Sequence, residues 1–446
     1  MKVFLSFLGL GSPKGNPSPT DYVYSDVVYR FRGKEWPSSP YVQEAILDGL
    51  DADGRRPELV LLAMTKMSEE WQWLPEGRLQ SRLSPRGLTI EEVRISDALD
   101  SQSQWSTFEQ LLRAVPVGAE LYVDVTHGFR LMPILFSAAI SFLTNAKGVK
   151  LGGVFYGAYE PRQPGPYDIV EMTDFYRVNQ WAEAVKALVS TGDARALVEV
   201  AADSPNFQAG ALRNEELARS LQRLSLLIRN VDANAVPDAA REAIALVRQV
   251  KSEATESHVT ARLLLETLEE QFARLAHVAP LTGRYDEPYF RSQLALVEVL
   301  NSYGLLMQSF TVLRELIGSL GITGYAKYRD KGRLLEGRKY ADLWVNLCQF
   351  DQSFVAQGTD QKAMADRLMP FRDRLKSLGL WDGLVEQTKA VVAHRNAFDH
   401  ARMNAKAAPG DDPKLQSAAE GLLTGLRALV VQLVEAGVIP SAPKPE

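Results

Sequence analysis

Residues 120–130 read E-L-Y-V-D-V-T-H-G-F-R, and this stretch decides the fold of the first part of the chain. Residues 120–125 are a short, mostly apolar run that is typical of a buried strand. Gly128 follows at once, and an apolar helix is predicted over residues 133–145. A buried strand that leads through a glycine turn into a helix predicts a parallel sheet, because parallel strands need helical crossovers.

The rest of the first part repeats this alternation. The sequence predicts further buried strands at residues 3–8, 58–64 and 150–156, helices at 41–50 and 103–115, and a hairpin or edge pair at 22–32. The predicted fold of residues 1–175 is therefore an α/β, Rossmann-like domain whose sheet is covered on both faces.

From about residue 174 the strand patterns stop, and long helical patterns follow. We predict a helical linker region over residues 176–285 and an all-α domain over residues 286–446, with the loop at 281–287 near their boundary. Helices are expected at residues 173–190, 215–230, 236–277, 288–320, 359–378, 384–404 and 413–436.

Composition narrows the class of protein. A chain of 446 residues predicts two or three domains. Its formal net charge of −5 means that any contact with nucleic acid needs a local basic patch. The single cysteine, Cys348, excludes an intrachain disulfide and cysteine-rich metal sites. No apolar run is long enough to predict a membrane span, so we expect a cytoplasmic protein with no membrane partner.

Three segments are predicted to meet at the carboxyl ends of the parallel strands, where open α/β sheets bind ligands. Glycines let the backbone approach a phosphate, and hydroxyl, imidazole and cationic groups add donors. Lys14 stands where a dinucleotide fingerprint has glycine, and no Walker sequence follows, so NAD and ATP are poorly supported. The predicted site residues are Gly9, Leu10, Gly11, Ser12, Lys14, Thr65, Lys66, Asp124, Thr126, His127, Gly128, Phe129 and Arg130.

A second candidate site lies near the C-terminus, at Arg395, Asn396 and His400. A fixed cation, an amide and a titratable imidazole within about one and a half helical turns can cleave RNA, whose own 2′-hydroxyl is the nucleophile. The alternative is structural: Arg395 and Asp399 form a surface pair, and His400 is a solvated or capping residue.

Two motifs in this order resemble a known family. D-V-T-H-G-F-R at residues 124–130 and M-K-V-F-L-S-F-L-G at residues 1–9 resemble the CARF domain of Csx-type CRISPR-associated proteins. Arg395 to His400 resembles the R-x(4–6)-H signature of HEPN ribonucleases. The resemblance implies an antiviral effector that a cyclic oligoadenylate activates, with cyclic tetra-adenylate expected over hexa-adenylate, and that cleaves single-stranded RNA. It also implies a homodimer or higher homo-oligomer, no metal and no cofactor besides the activator, and 2′,3′-cyclic phosphate products.

Two alternatives and one further hypothesis stay open. The chain could be a nucleotide-sensing regulator whose helical part binds DNA or a protein partner. Its first domain could also cleave its own ring, with the turn at residues 9–14 and Thr126 positioning the ribose hydroxyl. Residues 325–340 hold six basic residues against two acidic ones, with three tyrosines, so they form either an RNA-guiding loop or a solvated linker.

Overall fold

The chain divides into two compact units, Met1–Asn179 and Gln180–Glu446. The computed structural model describes residues 1–10, 24–98, 100–127, 132–159, 165–202, 212, 214–254, 259–276, 284–324, 335–399 and 414–441. The first predicted boundary, at residue 175, lies close to this division; the finer boundary at 285 stays a prediction.

One mixed sheet organises the first unit. Its order is β3-β2-β8-β7-β6-β1-β4-β5. The neighbours β5, β4, β1, β6 and β7 are all parallel, whereas β8 runs antiparallel to β7 and β3 antiparallel to β2. The strands are β1 Lys2–Leu8, β2 Tyr29–Phe31, β3 Lys34–Glu35, β4 Leu59–Met64, β5 Thr89–Arg94, β6 Glu120–Asp124, β7 Lys150–Gly157 and β8 Tyr167–Glu171.

Helices cover both faces of this sheet, as the apolar strands predict. In β1, Leu5 belongs to a core cluster on one face, with Leu111 and Ile140 from two helices. Phe4 belongs to the cluster on the other face, with Ile46. The Rossmann-like α/β prediction is therefore confirmed. The helices of this part are α1 Val42–Ala52, α2 Leu79–Leu83, α3 Ser101–Ala114, α4 Met132–Lys147 and α5 Thr173–Thr191, the last of which crosses the division between the units.

The second unit is helical throughout its described residues, as predicted. Its helices are α6 Arg195–Ala202, α7 Glu215–Arg229, α8 Val236–Glu253, α9 Val259–Ala276, α10 Glu287–Ser302, α11 Leu306–Thr323, α12 Leu335–Phe350, α13 Gly358–Ser377, α14 Trp381–Asp399 and α15 Lys414–Glu435.

Several predicted elements need correction. The helix expected at 288–320 is two helices, because Gly304 adopts a left-handed conformation (φ +67°) that ends α10. The helix expected at 236–277 is also two, since Ala254 is extended after α8. The hairpin lies at residues 29–35 rather than 22–32. Strands β5 and β8 and helices α6 and α12 were not predicted; β5 is an edge strand whose charged, exposed side chains hide its strand pattern.

Among the described residues, α15 is the one helix long and apolar enough to cross a membrane by length and composition. Of its most apolar window, 39% is buried inside the protein. Its buried residues, which include Leu426 and Leu433, face a bundle in which α15 packs against α10, α11 and α14. A core helix of a bundle has the same character.

Candidate functional site

The sheet brings the three predicted ligand segments to one edge. Leu8 of β1 is paired with Met64 of β4, and Ser6 of β1 with Asp124 of β6. Because these neighbouring strands are parallel, the residues that follow them leave the sheet side by side. A Cβ atom at Gly9 would lie 3.2 Å from the Cβ of His127 and 2.9 Å from the hydroxyl of Tyr24. Gly9 therefore allows the segments after β1 and β6 to touch.

Asp124 organises the segment after β6. Its carboxylate is fully buried. One oxygen accepts a hydrogen bond from the Ser6 hydroxyl at 2.7 Å. The other accepts from the amide of Thr126 at 2.9 Å and from its hydroxyl at 2.5 Å. The Thr126 hydroxyl oxygen accepts from the amide of Gly157 at 2.8 Å. This buried charge is thus stabilised by three donors, and it fixes the loop in one position.

His127 is the next residue of this loop, and its ring lies beside that of Tyr24, with centroids 4.9 Å apart. Its Nε2 atom is buried and has no hydrogen-bond partner among the described residues. Burial lowers the pKa of His127 below its usual value, and the nearby charge of Asp124 opposes this in part. Burial therefore favours the neutral form of the imidazole.

Thr65 and Lys66 follow β4 at the same edge; the first is buried and the second is exposed. Thr65 is buried, and its hydroxyl accepts from the amide of Ser68 at 3.2 Å. The Ser68 hydroxyl accepts from the amide of Thr65 at 2.9 Å, which completes a capping box. The Lys66 side chain is 83% exposed, with its ammonium 3.9 Å from Glu70. Thr65 thus shapes the turn, and Lys66 supplies a cation at the edge.

Two buried glutamines at this edge were not among the predicted site residues. Gln43 of α1 donates to the Ser6 hydroxyl at 3.0 Å and to the Phe7 carbonyl at 3.1 Å. Gln72 donates to the carbonyl of Leu10 at 2.7 Å. A polar residue inside an apolar stretch, as Gln43 is in V-Q-E-A-I-L, was the available signal.

Several predicted residues lie outside the described residues, so their placement stays a prediction. In the N-terminal site they are Gly11, Ser12, Lys14, Gly128, Phe129 and Arg130; in the C-terminal motif it is His400.

The described part of the C-terminal motif lies in the last turn of α14. His394 stacks on the buried ring of Phe310, with centroids 4.8 Å apart and an angle of 17° between the rings. Asn396 is exposed. Arg395 forms an ion pair with Asp399, and each side chain is about one third exposed (33% and 34%). The surface pair of the structural alternative is therefore present, on residues that the catalytic hypothesis also needs.

The basic stretch at 325–340 is described only from residue 335 onwards. Arg338 forms an ion pair with Glu315 and donates to the Ser319 hydroxyl at 3.2 Å. Tyr340 is buried, and its hydroxyl accepts from Arg367 at 2.6 Å. Burial keeps the Tyr340 ring from stacking on a base, so the hypothesis of an RNA-guiding loop is wrong for Tyr340; for Arg338 it stays a prediction.

Within the described ranges, no group of three or more His, Cys, Asp or Glu residues is placed to hold a metal ion. Independence from metal stays a prediction.

The chain is similar in sequence to the CRISPR-associated protein MJ1674 of Methanocaldococcus jannaschii, at 23% identity over 310 residues. The match spans 59% of this chain and 46%, less than half, of that protein's own length. This relative confirms the predicted resemblance to CRISPR-associated proteins.

Among solved structures, Enterococcus italicus Csm6 bound to cyclic hexa-2′-fluoro-hexa-dAMP is similar at 14% identity and a TM-score of 0.44, over 100% of this chain and 96% of that chain. A likeness at that level carries no argument about ligand or activity. No protein-family model matches the chain.

Proposed function

We propose that this chain is a CRISPR-associated antiviral effector in which a cyclic oligoadenylate, bound at the carboxyl edge of the sheet, activates cleavage of single-stranded RNA by the helical unit. The observation that carries the proposal is the position of the D-V-T-H-G-F-R string. Its first residues follow a central parallel strand and touch the glycine turn after β1. That edge is where a sheet of this type binds nucleotides.

The expected ligand has phosphates, ribose hydroxyls and adenine edges, and the described residues offer a partner for each. Lys66 presents an exposed ammonium to a phosphate, and Gly9 lets the turn after β1 lie against His127. The Nε2 atom of His127, which has no partner among the described residues, suits a hydrogen bond with a ribose hydroxyl or an adenine edge. Cyclic tetra-adenylate is the expected ring, lying across the axis of a homodimer.

The proposed reaction is transesterification. The 2′-oxygen of the RNA attacks the adjacent phosphorus, the bond to the 5′-oxygen breaks, and the products carry a 2′,3′-cyclic phosphate and a 5′-hydroxyl. Arg395 would stabilise the charge on the phosphate, Asn396 would orient the substrate or the imidazole, and His400 would transfer protons. One base must accept the 2′ proton and one acid must protonate the leaving oxygen, so two motifs meeting in a dimer would supply both imidazoles.

A quenched fluorescent single-stranded RNA tests the proposal. Wild type, His400→Ala and the surface control Arg291→Ala are mixed with RNA in EDTA, and cyclic tetra- or hexa-adenylate is added in turn. We expect cleavage with the tetra-adenylate alone, its loss in His400→Ala, and full activity in Arg291→Ala. Mass spectrometry of the products should find the 2′,3′-cyclic phosphate.

Other outcomes of this assay have equally direct meanings. Ring binding without cleavage by the wild type favours the sensor-regulator alternative. Cleavage that survives in His400→Ala rules out the assignment of the motif. Activity that EDTA abolishes rules out a metal-independent reaction.

A further inference from the structure

The segment after β4 reaches across to the turn after β1 through one buried side chain. Residues Glu69–Trp73 form a π-helical turn, and Gln72 within it is fully buried. The Gln72 side-chain amide donates to the carbonyl of Leu10 at 2.7 Å. Its side-chain oxygen accepts from the hydroxyl of Tyr41 at 3.1 Å. Both ends of this amide are therefore engaged, one of them on the backbone of the candidate ligand turn.

The π-helical turn is itself anchored on its other side. Trp73 donates from its indole nitrogen to Glu92 of β5 at 2.7 Å. Glu69, also buried, forms an ion pair with Arg94 of β5. The turn is thus held against β5 while Gln72 points inward to β1. π-Helical turns are rare and frequently occur at functional sites.

We propose that Gln72 is a positioning residue for the ligand site: it holds the Gly9–Leu10 backbone in the conformation that binds the ring. The inference rests on the proposed function and adds to it a residue with no expected ligand contact. A carbonyl is satisfied only while its donor is in reach, so a missing amide at residue 72 leaves the Leu10 carbonyl free to turn toward water. The glycine before it offers little resistance to that rotation.

Two substitutions test the role. Gln72→Leu keeps the approximate volume and removes the donor; Gln72→Glu keeps the shape but turns an acceptor toward the Leu10 carbonyl. Trp73→Phe is the matched control, because it removes a part-buried hydrogen bond from the same turn on the side away from Leu10. Binding of fluorescent cyclic tetra-adenylate to the full-length chain gives the Kd, and RNA cleavage at saturating ring gives the maximal rate.

We expect Gln72→Leu to raise the Kd about tenfold, the equivalent of one hydrogen bond, and Gln72→Glu to raise it at least as much. The maximal cleavage rate should stay at the wild-type level, and Trp73→Phe should bind within twofold of wild type. Equal Kd values for Gln72→Leu and wild type would overturn the inference. So would an equal loss in Trp73→Phe, because that result assigns the effect to general loosening of the turn.

A ligand-free measurement separates this inference from the proposed function. Amide hydrogen exchange in peptides that contain residues 8–10 should rise in Gln72→Leu and not in Trp73→Phe. If the wild type bound no ring and this difference were nevertheless found, the proposed function would fail while the hold of Gln72 on the turn stood. Unchanged exchange in Gln72→Leu overturns the hold itself.

Discussion

At the carboxyl edge of the sheet, buried side chains from β1, β6, α1 and the segment after β4 fix the backbone that is proposed to bind the ligand. At the end of α14, the proposed phosphate-binding side chain is about one third exposed, and its ion-pair partner lies on the same helix. Asp124 and Asp399 express the contrast. The first is fully buried with three donors, and the second shares a surface pair with Arg395.

The difference teaches that the two candidate sites depend on the single chain to different degrees. The sheet edge is shaped by contacts within one chain. We therefore expect residues of the first unit to determine which ligand it binds. The motif on α14 contributes one arginine and one asparagine among its described residues. The proposed reaction needs both a general base and a general acid, which agrees with the proposal that the motifs of two protomers meet.

The largest expected effect is on catalysis. Arg395→Ala should lower activated RNA cleavage about 10²- to 10³-fold, because a lost charge-stabilising donor costs that much in a preorganised site. The Kd for cyclic tetra-adenylate should not change. Initial cleavage rates and fluorescent-ring titration measure the two quantities.

Arg291→Ala is the control for this substitution, since Arg291 also forms an i,i+4 pair on a helix surface, with Glu287 at 2.7 Å. It should retain full cleavage. A ring affinity that changed with Arg395 would break the comparison, because the motif would then contribute to the sensing site.

The next effect is on stability. Asp124→Asn should lower the free energy of unfolding of the first unit by about 2 kcal/mol, because hydrogen bonds to a buried charge are the strong ones and an amide cannot accept all three. Urea unfolding followed by intrinsic fluorescence measures this. Asp168→Asn is the control: Asp168 is 62% exposed in its pair with Arg30, so its change should stay within about 0.5 kcal/mol. Equal losses in both variants would mean that Asp124 is not the organising residue of the edge.

The sequence predicted the centre of the sheet better than its margins. Val3, Phe4 and Leu5 point to alternate faces of the sheet, and all three are buried. A strand that is apolar on both faces must lie inside the sheet, so β1 could be predicted without knowing its neighbours. Strand β5 carries Glu91, Glu92 and Arg94, and only its pairing with β4 makes it a strand.

The same reason explains what was missed in the site. Thr126 and His127 belong to a motif that is continuous in sequence, so they could be found by reading along the chain. Gln43 and Gln72 act on Phe7 and Leu10 across 36 and 62 residues, respectively. Such contacts follow from packing, and neither residue has a local pattern that predicts its partner.

A smaller effect concerns pH. The pKa of His127 is lowered by burial, so the folded protein keeps the imidazole neutral where the unfolded chain, with a pKa of about 6.5, takes up a proton. Stability is therefore full above pH 6.5 and falls as the pH drops toward the folded pKa. Between pH 7 and 5.5 the wild type should lose more stability than His127→Gln, as measured by urea unfolding at each pH. Parallel losses in the two proteins would contradict a buried, neutral His127.

The smallest expected effect is that of Asp399→Asn, the same aspartate-to-asparagine change made in the motif on α14. Asp399→Asn removes an i,i+4 pair worth about 0.3–0.5 kcal/mol, so the free energy of unfolding should change by less than about 0.5 kcal/mol. The same substitution frees Arg395 and removes a negative charge beside the expected phosphate, so the KM for RNA should fall about twofold at saturating ring. Initial rates over a range of RNA concentrations give the KM. A tenfold loss of cleavage would instead mean that Asp399 orients Arg395 for catalysis, and the motif would then be preorganised within one chain as the sheet edge is.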